Sequence, residues 1–401
     1  MTRTFLIAFC GLLLAANAFS CDITLPAFWA IGRGLDVPIE RVQLVIPVFL
    51  FSAAFGQLVF GPLSDRYGRR PVILAGLLLY FTGAIAGFLA PSLPIVLAGR
   101  ALQGLGSACG IVVARAVLRD SYQGNELART MAMASGIISI GPVLAPLIGV
   151  GLIEIGGWRA VFAGMGVFGA ALLASGVIWL AETNRDRRPE ALAPSSLIGA
   201  AREVLAHPQS RFFIALAGLN AFMVLSLVTN APRLFKSSFG LEGLGFATLF
   251  AVNGIAVIVG QTINTRLISR IGPLAATRLA AGAIVAAACL IALLDALGQL
   301  DIKLFAVLIF AFSTAFPIVM SNSASLTIDP HRRVAGMASS IFGFSSQLVS
   351  SLLVLATLSL YGGAMLPWAI GLAIAAAITL TALLLYRPPY IVDRAAEAAR
   401  R

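Results

Sequence analysis

Twelve apolar runs follow one another along this chain, near residues 4–30, 41–62, 72–90, 94–117, 129–153, 159–181, 211–232, 244–267, 274–297, 302–326, 335–359 and 367–386. Each is close to the roughly 20 residues that a helix needs to cross the hydrocarbon of a bilayer. Backbone groups in lipid must find partners within their own segment, so runs of this kind predict helices. The predicted fold class is an all-α membrane protein with twelve transmembrane helices in two pseudo-symmetric six-helix bundles. Composition agrees, since 59% of the residues are hydrophobic and 11% charged, where soluble domains run near half and a quarter. The longest polar interval, 182–210, holds Arg185, Arg187, Arg188, Pro189 and Pro194 and divides the runs six and six. The expected division is therefore a bundle over 1–181, a linker over 182–210, a second bundle over 211–386 and a tail over 387–401.

A net charge of +11 in a soluble chain would point to nucleic acid, so the placement of the basic residues decides. With both termini on the cytoplasmic side, Arg3, Arg66, Arg69, Arg70, Arg115, Arg119, Arg129, the 185–211 arginines, Arg266, Arg270, Arg278, Arg332, Arg333, Arg387, Arg394, Arg400 and Arg401 fall inside. Only Arg33, Arg41, Arg159, Arg233, Lys236 and Lys303 fall outside, and Arg100 lies within a run. This asymmetry orients membrane helices and explains the charge without a nucleic-acid partner. Cys10, Cys21, Cys109 and Cys289 all sit in apolar runs, so they read as packing rather than disulfides or a metal cluster. Residues 1–21 carry a signal-like pattern ending in Ala18-Phe19-Ser20-Cys21, but the apolar run continues to about Ile31 and reads as a first span.

The stretch Gly61-Pro62-Leu63-Ser64-Asp65-Arg66-Tyr67-Gly68-Arg69-Arg70-Pro71 is a charged turn between two runs. Asp65 is suited to a conformational latch, because a carboxylate is stabilised at a helix N-terminus or by an arginine, while Gly61 and Gly68 permit close packing and a tight turn. A topology-setting basic loop explains the same residues. A shift of 204 places Leu63, Arg66 and Gly68 on Leu267, Arg270 and Gly272, and Arg129, Met133, Ala134, Ser135 and Ile137 on Arg333, Met337, Ala338, Ser339 and Ile341. Ser269 replaces Asp65 in the second copy. Repeats joined by a linker are the architecture of secondary transporters, whose sites lie near mid-membrane between the repeats.

Asp22 is the acid placed deepest in an apolar run. An isolated charge in lipid is costly, so this carboxyl must face a polar cavity or a cation, or carry a proton. A proton site and a structurally paired acid both remain open. Pro26 and Trp29 follow at i+4 and i+7, on the same face of a continuous helix. Arg100, Gln103, Gly104 and Ser107 share another face, where a permanently charged arginine either meets a carboxylate or substrate, or snorkels to the nearby outer surface. The fifth run contains Gly136, Gly141, Pro142, Pro146 and Gly149, marking close helix contact, a kink or a flexing point. Candidate cavity residues are Asp22, Trp29, Gln103, Ser107, Asn220, Phe222, Asn253 and Phe316, with Asn230, Gln261, Ser321, Asn322 and Gln347 as further polar groups in the second half. His207 and His331 read as solvated loop residues.

Together these features resemble the major facilitator superfamily, and within it the twelve-span drug:proton antiporters of the Bcr/CflA branch. Residues 61–70 resemble its cytoplasmic signature, 100–106 its fourth-span motif, and 136–149 the fifth-span motif of antiporters. Asp22-Ile23-Thr24-Leu25-Pro26 is similar to the branch's first span, Trp158-Arg159-Ala160-Val161-Phe162 to its sixth, and Ala231-Pro232-Arg233 to phenicol exporters. The resemblance implies alternating access, with Asp22 and Arg100 coupling proton entry to export of a lipophilic drug across the cytoplasmic membrane. The expected partners are a small lipophilic substrate, protons and the lipid bilayer, with a monomer and no cofactor expected. A nutrient importer is the alternative within transport. A membrane-embedded enzyme is disfavoured because clustered acids, histidines or a metal site are missing from the sequence.

Overall fold

In the computed structural model the chain is described over residues 2–184, 187 and 194–387. The basic residues Arg185, Arg188, Arg394, Arg400 and Arg401 lie outside these, as does nearly all of the expected tail. Long helices dominate: α1 (Arg3–Asp22), α2 (Phe28–Leu35), α3 (Ile39–Val42), α4 (Val45–Tyr67), α5 (Arg69–Phe88), α6 (Leu93–Ser121), α7 (Gly124–Trp179), α8 (Pro194–Ala206), α9 (Pro208–Phe239), α10 (Gly243–Ala296), α11 (Ile302–Ile328), α12 (Ala335–Thr357) and α13 (Met365–Leu385). Short 3₁₀ turns occupy Leu25–Ala27 and Asp329–Val334.

Among the described residues, ten helical segments are long and apolar enough to cross a membrane. The difference from twelve lies in α7 and α10, of 56 and 54 residues, each about twice the length that a bilayer requires. In both, the helical backbone is interrupted at a tight kink rather than by a longer loop. Gly156 and Gly157 break α7, and Gly272 followed by Pro273 breaks α10. The expected spans five and six, and eight and nine, are therefore joined at tight glycine kinks.

The 204-residue repeat is visible in the backbone. Gly68 and Gly272 take φ of 106° and 78°, and one turn earlier in each half Asp36 and Gly240 take 51° and 68°. Left-handed backbone is strained for a residue with a Cβ, so its recurrence at one offset marks equivalent turns. α1 and α4–α7 pack among themselves, as do α9–α13, and the two groups meet where α4 lies on α12 and α7 on α10.

Glycine sets the closest approaches in the first group. A Cβ on Gly83 would stand 2.5 Å from the Gly99 carbonyl, and one on Gly99 2.7 Å from the Gly83 carbonyl. Such pairs let α5 and α6 touch through their backbones, the main source of helix affinity where lipid removes the hydrophobic drive. Outward faces carry large apolar side chains, with Ile155 84% and Leu385 75% exposed, as a lipid boundary requires. Cys289 is exposed on this boundary, whereas Cys10, Cys21 and Cys109 are buried.

The interval 182–210 contains a helix, α8, that its polar composition conceals. Val204 is buried against Ile214, Ala217, Ala338, Ile341 and Phe342. His331 corrects the expectation of a solvated loop. It is 4% exposed, its Nε2 lies 2.8 Å from Ser210 Oγ, and its ring meets His207 edge-on at 5.3 Å.

Candidate functional site

The first span is not a continuous helix. α1 ends at Asp22, where the Ile23 N–H still donates to Phe19 O at 3.0 Å, and then tightens as Thr24 N–H reaches Cys21 O and Ala27 N–H reaches Thr24 O. Pro26 supplies no N–H to carry the ladder on. The Thr24 hydroxyl also donates to Cys21 O at 2.8 Å, giving that carbonyl a second, shorter bond at the break. Gly149 of α7 packs on this point, where a Cβ would strike Ile23 O and stand 3.3 Å from Pro26 Cγ.

Asp22 is thereby left as the last residue of α1, 7% exposed. Among the described residues no hydrogen bond or ion pair satisfies its carboxylate. A charge so placed costs on the order of 3 kcal/mol in a membrane helix, so the group calls for a proton, water or ligand. Trp29 does not share its helical face, because the break lies between them. The indole N–H instead donates to Pro232 O of α9 at 3.1 Å.

Arg100 is fully buried and does not snorkel. Its Nε donates to Val45 O at 3.3 Å, its Nη1 to Gln103 Oε1 at 3.2 Å and, weakly, to Met165 Sδ at 3.8 Å, and its guanidinium lies 4.2 Å from the Phe49 ring centre. Nη2 is buried without an acceptor. On α1 it interacts with Cys21, one residue short of Asp22, so the predicted Asp22 and Arg100 are neighbours that do not pair. Gln103 donates to Met165 Sδ at 3.6 Å, and Ser107 accepts from Asn17 at 3.1 Å while donating to Gly104 O at 2.9 Å.

The second-half candidates lie apart from these. Asn220 of α9 donates to Phe316 O of α11 at 3.3 Å, Asn253 of α10 accepts from Ser313 at 2.9 Å, and Phe222 is buried in the core. The eight candidates are distributed over several contacts between helices rather than gathered on one wall. On α7, Pro142 and Val143 press against Gly254 of α10, Pro146 is buried, and backbone at Gly136, Gly141 and both prolines stays helical.

The 61–70 turn is tied internally. Arg69, 6% exposed, donates from Nη1 to Asp65 Oδ1 at 2.5 Å and Ser64 Oγ at 2.7 Å, and from Nε to Asp120 Oδ2 at 2.8 Å. The first N–H groups of α5, on Arg69 and Arg70, donate to Glu182 at 2.8 and 3.1 Å. Burial pushes the Glu182 carboxyl up, but N–H donation from Asn184, Arg69, Arg70 and Thr183 outweighs it and leaves the group below the usual carboxylate range. Arg70 Nη2 caps Val177 O at 2.8 Å, and the exposed Arg66 lies over the Tyr67 ring. Gly61 stands near Ser340 of α12.

Sequence reasoning missed Tyr80, Asp120 and Glu182. Tyr80 is one of 6 tyrosines, and a hydroxyl inside an apolar run needs a partner, which was a usable signal. Asp120 and Glu182 stand at the ends of runs, where composition cannot separate a solvated acid from a cap.

A helical bundle built on a two-fold repeat, with ten segments among the described residues long and apolar enough to cross a membrane, defines a polytopic membrane protein. The chain belongs to the Major Facilitator Superfamily, whose family model matches residues 8–354. It is 28% identical over 344 residues to a "Bicyclomycin resistance protein homolog" of Haemophilus influenzae, covering 83% of each chain. It is 32% identical over 279 residues to a "Chloramphenicol resistance protein" of Pseudomonas aeruginosa, covering 68% of this chain and 64% of that one. A solved D-xylose-proton symporter superposes with a TM-score of 0.77 at 12% identity over 94% of this chain and 97% of its own, a likeness of fold alone.

Proposed function

We propose that this transporter exports small lipophilic compounds, bicyclomycin- or phenicol-like drugs among them, in exchange for protons by alternating access. The observation that carries the reading is Asp22, an acid buried at a helix break without a bonded partner. A group in that state gains most from binding a proton and loses least on releasing it when water or a cationic substrate arrives. The names of the drug-resistance relatives supply the substrate class.

In this reading 1–181 and 211–386 move as two bodies joined by 182–210, with the termini, the 387–401 tail and the 61–70 turn in the cytoplasm of a bacterial inner membrane. Asp22 takes a proton from outside and yields it inside. Arg100 holds α6 to α4 and α7 beside it. Gly61, Asp65, Arg66, Gly68, Arg69 and Arg70 form the latch, with Asp65 exposed enough to exchange Arg69 for another partner. Gly136, Gly141, Pro142, Pro146 and Gly149 let α7 slide between the α1 break and α10. Trp29, Gln103, Ser107, Asn220, Phe222, Asn253 and Phe316 lie on separate helix contacts here, and substrate reaches those that a change of state uncovers between the halves, with one chain sufficing for the cycle.

Expression in a drug-sensitive host lacking its own exporters, challenged with amphenicols, bicyclomycin, fluoroquinolones and lipophilic cations, tests the reading. Resistance to at least one class is expected, and Asp22→Asn should abolish it at unchanged membrane abundance. Resistance that survives Asp22→Asn removes the mechanism, and resistance to none of them removes drug export.

A further inference from the structure

At the end of the bundle opposite the 61–70 turn, the two groups of helices meet around a cavity of about 170 Å³. Its lining includes Trp29 and Arg33 of α2, Glu154 of α7, Pro232 of α9, Glu242 in the α9–α10 turn and Phe246 of α10. The space is smaller than the roughly 300 Å³ at which drug-sized pockets begin and nearly six times the ~30 Å³ share of one water. It therefore takes a single ring or an alkylated ammonium head.

Lys236 of α9 projects into the same neighbourhood. Its Nζ lies 3.9 Å from the centre of the Trp29 ring and is ion-paired with Glu242. An aromatic face and a carboxylate converging on one positive nitrogen are the two halves of an organic-cation site, because the ring quadrupole and the carboxylate attract the same charge. The lining holds Glu154, Glu242 and Arg33, with Lys236 paired to Glu242, so displacing that ammonium frees a carboxylate for an incoming cation.

We propose that this cavity is a binding site for small aromatic ammonium ions, and that Lys236 occupies its cation position as a tethered surrogate that an incoming ligand displaces. The site does not use Asp22 and does not depend on proton coupling or on the direction of transport.

The test is calorimetric titration of the purified full chain in detergent with benzyltrimethylammonium, and with neopentylbenzene as its uncharged isostere. Lys236→Ala removes the internal competitor and should tighten the cation's binding by about three- to thirtyfold, the range of one cation–π contact. In that background Glu242→Gln should reverse much of the gain. Trp29→Phe, which keeps a ring face and loses the N–H to Pro232, should retain binding, whereas Trp29→Leu, which lacks the same N–H, should lose it at the unfolding temperature of Trp29→Phe. Asp22→Asn should bind as the parent does, so failure of the efflux mechanism and failure of this site are separate results. An unchanged or weaker affinity in Lys236→Ala overturns the proposal, as does neopentylbenzene binding as tightly as the cation.

Discussion

The hydroxyls of Tyr80 and Ser20 lie 2.6 Å apart, both fully enclosed, two residues before Asp22 on α1. Ser20 donates its own proton to Ala16 O at 2.6 Å, so Tyr80 is the donor to Ser20 and pins the last turn of α1 to α5. Tyr80→Phe keeps the packing and removes only this bond, whose net worth is on the order of 1 kcal/mol. If Asp22 carries the proton as proposed, Tyr80 acts as its positioning residue through the last turn of α1. The expected result is a several-fold loss of transport with a displaced pH profile and a normal yield of folded protein, read in everted vesicles. An unchanged profile would make the bond purely structural.

Arg100 is bound as a fork that lysine cannot copy. Arg100→Lys retains one positive charge but cannot reach Val45 O, which keeps its own helix donor, and Gln103 Oε1 together, and a buried Gln103 Oε1 left without a donor costs about 1–3 kcal/mol. Its unfolding temperature in detergent should fall, and Gln103→Leu in the same background should restore part of it by removing one stranded acceptor.

Glu182 holds the N-terminus of α5 through two backbone N–H groups. Glu182→Gln preserves the shape and deletes the charge opposite the helix dipole, an effect of about 0.3–1 kcal/mol. Because the folded carboxyl is depressed below its ordinary value of 4.5, its contribution is complete above that value and fades as pH falls through the lower folded one. Parent and variant should therefore differ in thermal stability at neutral pH and converge in strong acid.

Glu40 of α3 and Arg233 of α9 form an ion pair across the two groups of helices, beside the bonds from Gln43 Nε2 to Thr229 O at 3.0 Å and to Asn230 Oδ1 at 3.2 Å. Glu40→Arg places two guanidinium groups together and should hold this end open. Increased labelling of a cysteine placed at Asn230 would report it. The exchanged pair Glu40→Arg with Arg233→Glu should return labelling to the parent level.

Much of the fold was legible in the sequence because lipid imposes one rule, that an apolar run of sufficient length becomes a helix. The 204-residue offset was legible for a related reason, since Gly68 and Gly272 both occupy backbone that a Cβ would strain. What was hidden depended on joins rather than runs. The sequence Glu154-Ile155-Gly156-Gly157-Trp158 separates two runs without revealing how tight the join is, two residues of non-helical backbone at Gly156 and Gly157. Asp22 was visible as a misplaced acid, and Pro26 as a disturbance. That α1 terminates on Asp22 follows from Thr24 bonding back to Cys21 O, a choice that alternating apolar residues do not encode. The Arg69–Asp120–Glu182 arrangement needed three distant helix ends to be brought together, which no local pattern can show.

Proton movement measured in liposomes is the most direct test of the central claim that Asp22 exchanges protons for substrate. With purified protein and a transported drug at a fixed outward gradient, an internal pH dye should report proton flux opposite to the drug and in constant ratio to it. Asp22→Asn should abolish the dye signal and the uphill drug movement together while substrate binding persists. Drug-driven proton flux of parental size in Asp22→Asn would contradict the claim.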